Sequence, residues 1–110
     1  MSSTGADGID PDQGARPLMV LVADDNPADR MILRRLVERL GHQVHEAEHG
    51  QQAVELFALH SPDIVLLDAL MPTMDGFEAA RRIKLHAGED LVPIIFLTSL
   101  TETGALVKCL

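Results

Sequence analysis

The sequence predicts an α/β domain: a parallel sheet with helices on both faces. Three observations lead there. The apolar runs Leu18–Val22, Ile64–Leu67 and Ile94–Leu97 are too short for ordinary helices and read as buried strands. Segments of helical periodicity separate the strands, so strand and helix alternate along the chain. The three runs give way to polar groups, Asp24-Asp25, Asp68 and Thr98-Ser99, and an open parallel sheet forms its ligand crevice at such strand ends.

Residues 1–17 are rich in Ser, Gly, Asp and Pro and are expected to form a disordered leader or linker, with the domain spanning 18–110. The first strand ends at Ala23. Asn26-Pro27 then offers a cap and a proline at the first helical position. The helix is expected to run to about Leu40, burying Ala28, Ile32, Leu36 and Leu40 at i, i+4 spacing, with Leu33 and Val37 widening the stripe. Arg30, Arg34, Arg35 and Arg39 read as its solvated side, and Gly41 stops it.

Gln43–Glu46 alternates weakly, as a half-exposed edge strand does. Gly50–His60 is a second helix, with Ala53, Val54, Phe57 and Ala58 inward. Ser61-Pro62 leads into the central strand, Ile64–Leu67. A third helix spans Phe77–His86, with Phe77, Ala80 and Ile83 as its apolar positions. After Ile94–Leu97 a last helix is expected from near Thr101, carrying Lys108 and Cys109. The five histidines are scattered, and a solvated role suits them better than a metal site.

Composition excludes several classes. A net charge of -8 argues against a nucleic-acid surface. The single Cys109 rules out an internal disulfide and a cysteine-based zinc site. No apolar run approaches a membrane span, and no secretory signal is visible, so a cytoplasmic location without membrane contact is expected. The hydrophobic content of 46 % supports a real core.

Asp68 alone has a bland reading, as a turn or cap residue. Its setting among other strand ends changes that. If those strands are neighbours, Asp24, Asp25 and Asp68 converge with the hydroxyl of Thr98. At about 4 Å and an effective dielectric near 20, each pair of carboxylates repels by about 4 kcal/mol before solvation and screening. Either some protonate or a cation lies between them. Hard oxygen donors with no Cys or His beside them suit Mg²⁺, which often meets a phosphate. An Asp beside that ion is placed to attack phosphorus, and Thr98 to donate to a phosphoryl oxygen.

The stretches VADDNPADR at 22–30, DIVLLDALMPTMDGFE at 63–78 and PIIFLTS at 93–99 resemble the receiver domain of two-component response regulators. The likeness runs from Leu18 to the C-terminus. It implies a flavodoxin-like sheet of order 2-1-3-4-5, of which only the first four strands are present. It implies that Asp68 accepts phosphate from a sensor histidine kinase or a histidine phosphotransfer protein. It further implies that Asp25 binds Mg²⁺ directly, that Asp24 helps through water, that the Leu70 backbone carbonyl is a ligand and that Thr98 is the switch hydroxyl. A downstream output domain or protein would read the state.

The resemblance also sets an expected shortfall. The family's lysine, at the end of a fifth strand, would lie beyond Leu110, and Lys108 is out of place for it. With the fifth strand and helix missing, Ile94–Leu97 is expected to be an open edge and the first helix to lose part of its cover. Such a receiver would be marginal alone or would self-associate through the open edge. Apolar Leu70 and Leu100 stand where receivers tune hydrolysis, which implies slow autodephosphorylation. No enzymatic activity is expected beyond Mg²⁺-dependent self-phosphorylation and its reversal. A haloacid-dehalogenase-like phosphatase would need an Asp where Leu70 stands. A phosphorylation-incompetent interaction domain is the alternative.

Overall fold

The computed structural model describes residues 16–71, 74–97 and 107–109. The elements in order are β1 (Met19–Ala23), α1 (Pro27–Arg39), β2 (Gln43–Ala47), α2 (Gly50–His60), β3 (Ile64–Asp68), α3 (Gly76–Ala87), β4 (Ile94–Leu97) and β5 (Val107–Cys109). The sheet runs β2-β1-β3-β4-β5. Its first four strands are parallel, in the predicted order 2-1-3-4. The leader expected over 1–17 falls, but for Arg16 and Pro17, outside the described residues.

Alternation along the strands divides the core. Leu21, Ala23, Val65, Leu67, Ile94 and Phe96 face α2 and α3, where Ala53, Val54, Phe57, Ala79, Ala80 and Ile83 meet them. Val20, Val22 and Leu97 face α1 through Leu33 and Val37. Each large aliphatic side chain fully buried this way contributes about 1.5–3 kcal/mol. The helix ends follow local chemistry. Asn26 Oδ1 accepts from the amides of Ala28 and Asp29, His49 Nδ1 from Gln52, and Asp75 Oδ1 from Glu78.

Several expectations need correction. The buried positions of α1 are Asp29, Leu33 and Val37, whereas Ile32, Leu36 and Leu40 are exposed. Ala58 and Phe77 also face outward, and α3 buries Ala79 beside Ala80 and Ile83. Arg30 is no solvated side chain: it donates to the Asp24 carbonyl and to Glu46.

The largest correction is at the sheet edge. Val107–Cys109, expected in a last helix, forms a strand antiparallel to β4, with Leu97 opposite Val107 and Ile95 opposite Cys109. The start of that helix near Thr101 lies outside the described residues. The unpaired amides and carbonyls of β4 offer non-local hydrogen bonds, and these outweigh a weak local helical preference. β4 is therefore no open edge, and the expected self-association through it loses its basis. Among the described residues no helix is long and apolar enough to cross a membrane.

Candidate functional site

β1 and β3 are hydrogen-bonded neighbours, and β1 leads directly into Asp24 and Asp25 while β3 ends at Asp68. This adjacency brings the three carboxylates together, with one oxygen of each within 4.8 Å of the others. Asp24 and Asp68 are buried and Asp25 is exposed, so the cluster has a floor and an open mouth.

Backbone contacts hold each floor residue. The Asp24 amide donates to the Ala47 carbonyl at 3.1 Å, and Asp24 Oδ1 accepts from the Asn26 amide at 2.9 Å. The Arg30 guanidinium reaches back from α1 to the Asp24 carbonyl at 2.7 Å. Asp68 Oδ1 accepts from the Leu70 amide at 3.0 Å. The next amide, of Ala69, donates to the Leu97 carbonyl, which ties the loop to the end of β4.

Two glycines that sequence reasoning gave no role also shape the loop. A Cβ on Gly76 would overlap the Asp68 carbonyl oxygen and stand 2.8 Å from Ala69 Cα. A Cβ on Gly50 would stand 2.5 Å from the Met74 carbonyl oxygen. Both helices that start here approach the loop so closely that a side chain does not fit. The Asp75-Gly76 pair before an apolar helix was the available signal, and Asp75 is indeed the cap of α3.

Burial, and secondarily the negative charges of Asp24 and Asp25, push the Asp68 carboxyl up to about 6, against the opposing pull of the Leu70 amide. Burial likewise raises Asp24, with the charges of Asp29 and Asp25 adding to it. Asp24 Oδ2 is buried with no hydrogen-bond donor. A buried anionic oxygen in that condition costs free energy unless a cation meets it. Leu70 lies beside Asp68 with its side chain exposed. Thr98 and Leu100 fall outside the described residues, although Leu97, which precedes Thr98, is paired with Asp68 in register.

The histidines lie elsewhere. His49 caps α2, His42 accepts from the Leu18 amide, and His45 stacks on His60 with ring centroids 3.9 Å apart. His45 thus meets His60 across the β2–α2 packing rather than standing alone in solvent.

A doubly wound parallel sheet with an acidic cluster at the carboxyl ends of its central strands defines a class of phosphate- and cation-handling α/β domains. Within that class, a family model described as the response regulator receiver domain matches residues 20–110, and the chain belongs to that family. It is 38 % identical over 80 residues to the protein PilH of Pseudomonas aeruginosa, covering 73 % of this chain and 66 % of that one. It is 42 % identical over 89 residues to the transcriptional regulatory protein PdtaR of Mycobacterium tuberculosis, covering 80 % of this chain and 42 % of that one.

Solved structures agree. The response regulator domain of Thermotoga maritima CheB superposes with a TM-score of 0.69 at 35 % identity, over 82 % of this chain and 66 % of that one. The receiver domain of a Pseudomonas aeruginosa sensor histidine kinase gives 0.71 at 30 %, over 81 % and 73 %, and its cleft coordinates a magnesium ion. The chain spans between 11 % and 66 % of the length of the curated relatives first matched.

Proposed function

We propose that this chain is the phosphoacceptor module of a two-component phosphorelay, phosphorylated on Asp68. The observation that carries this reading is the buried, donor-less Asp24 Oδ2 beside Asp25 and Asp68. Three hard carboxylates with no nitrogen or sulfur ligand fit Mg²⁺. Asp24, Asp25 and Asp68, with the Leu70 carbonyl, would hold it. Bound there, the ion supplies neutralisation of charge on phosphoryl oxygens.

The chain's own residues do the rest. The Leu70 amide fixes Asp68 Oδ1 and so orients the carboxyl plane. The other Asp68 oxygen has no backbone donor among the described residues and is the nucleophile. It forms the new bond to phosphorus as the bond from phosphorus to the donor breaks, and the donor leaves with that electron pair. The donor is a phosphohistidine of a sensor kinase or of a histidine phosphotransfer protein. Thr98 follows the added charge, and an output domain or partner in the cytoplasm reads the altered surface. This reading assigns the chain no enzymatic activity beyond its own Mg²⁺-dependent phosphorylation and dephosphorylation.

Incubation with acetyl phosphate and Mg²⁺, read by intact mass, tests this. The wild type is expected to gain one phosphoryl group, Asp68→Asn none, and Asp24→Asn or chelator-treated protein far less. Absence of the adduct on the wild type overturns the reading in favour of an interaction domain. An adduct retained on Asp68→Asn assigns the wrong acceptor.

A further inference from the structure

Arg30 ties the acidic cluster to the edge strand β2. Its Nη1 donates to the Asp24 carbonyl at 2.7 Å and its Nε to Glu46 Oε1 at 3.1 Å. The side chain is only 13 % exposed, so both bonds are made largely away from solvent. Glu46 is itself clamped, because Arg34, one turn further along α1, donates to its Oε2 at 2.8 Å. With both oxygens taken, Glu46 fixes the guanidinium of Arg30, and the planar fork directs Nη1 to Asp24.

The bond to the Asp24 carbonyl acts on two acids at once. That carbonyl belongs to the peptide that joins Asp24 to Asp25. A planar peptide moves as a unit, so fixing its oxygen fixes the direction in which the chain enters Asp25. The Asp24 amide is held by the carbonyl of Ala47, the neighbour of Glu46 on β2, and Asp24 Oδ1 by the Asn26 amide. Asp24 is thus anchored at its amide, its carbonyl and its side chain, and two of these anchors lead to the end of β2. Asp25, exposed at the mouth, is positioned through the same peptide.

The network brings position rather than charge, since Arg30 and Arg34 are balanced by Glu46 and Glu38. We infer that Arg30, held by Glu46, is a positioning residue for the Mg²⁺ site. It keeps the Asp24–Asp25 peptide where both carboxylates can share one cation, and so raises the affinity for that ion. The inference rests on the Mg²⁺-binding role proposed for the cluster. Groups that hold metal ligands from behind are commonly worth about ten- to a hundredfold in metal affinity, because preorganised donors lose less freedom on binding.

Position and charge predict opposite outcomes when Arg30 is neutralised. Loss of a cation near three carboxylates would by itself tighten Mg²⁺ binding, whereas loss of the anchor weakens it. The test is a titration of the chain with MgCl₂, followed by NMR through the amides of residues 24–26 and 68–70. Arg30→Met, which keeps an unbranched stem without a donor, should weaken Mg²⁺ binding about tenfold. Arg30→Lys keeps the charge but not the fork that spans Glu46 and Asp24, and should weaken binding by a smaller factor in the same direction. Val37→Ala is the structural control. Val37 is buried two turns along α1 from Arg30, so this change should lower stability to urea and leave Mg²⁺ affinity unchanged.

Should Arg30→Met unfold by circular dichroism, Arg30→Lys carries the decision. Wild-type affinity in a folded arginine variant, tighter binding in Arg30→Met, or an equal loss in Val37→Ala would overturn the inference while leaving the Mg²⁺ site itself in place. A wild type that binds no Mg²⁺ would overturn the proposed role of the cluster, and the inference with it.

Discussion

Gly76 lies against the backbone of Asp68, and its amide donates to the Ala69 carbonyl at 3.0 Å. The first residue of α3 and the Asp68 end of β3 are thus packed with no room for a methyl group. The helix that follows the loop sets the position of the carboxylate that precedes it.

Gly76→Ala therefore forces the loop or α3 to shift. An overpacked site of this kind costs about 1–3 kcal/mol. Urea denaturation should show that loss, and acetyl phosphate labelling of Asp68 should slow in parallel. Unchanged stability with unchanged labelling would mean that the loop yields freely.

Asp68 gives a pH dependence with a defined sign. Its folded value, about 6, lies above the unfolded value of 3.8. The stability tied to its neutral form is fully present below the unfolded value and is lost as pH rises through the folded one. In metal-free buffer Asp68→Asn should be more stable than the wild type at pH 7.5, by about 1 kcal/mol after allowance for solvent screening. The difference should vanish near pH 4, and Mg²⁺ should narrow it at pH 7.5 by stabilising the wild type. Thermal melts at the two pH values, with and without Mg²⁺, measure all three effects.

His45 and His60 form a second pH-sensitive pair, remote from the carboxylates. Burial first, and the charge of His60 second, lower His45 below its ordinary 6.5. The neutral form is the one the fold favours, so its stability contribution is present above the unfolded value and lost as pH falls through the folded one. His60→Gln should raise the His45 value in an NMR titration of the imidazole carbons. No movement of His45 would show that the stacked rings do not sense each other's charge.

If Asp68 is phosphorylated as proposed, Leu70 is expected to bear on the lifetime of the acyl phosphate. Its side chain is 79 % exposed beside Asp68 and has no polar atom with which to orient an attacking water. The wild-type adduct should be long-lived in Mg²⁺ buffer, and Leu70→Asn should shorten its half-life several-fold. A time course of intact mass decides, and rapid loss from the wild type would remove Leu70 as the cause.

The sequence by itself determined the alternation of strand and helix and the placing of acids at strand ends. Apolar runs such as Ile64–Leu67 and caps such as Asn26-Pro27 are local signals, and local signals survive into the fold. Given a parallel sheet, Asp24, Asp25 and Asp68 had to emerge on one edge. Only the tertiary structure decided which stripe of α1 is buried. Ile32 and Leu36 adjoin Leu33 and Val37 on the same helical wheel, so periodicity admits either. The rotation of the helix is set by its contact with β1 and by the ion pairs of Arg30 and Arg34 with Glu46, which is distant in sequence. The same holds at the edge of β4. Three residues around Lys108 carry too little local preference to choose a conformation, and hydrogen bonding to a strand across the sheet edge chose it for them.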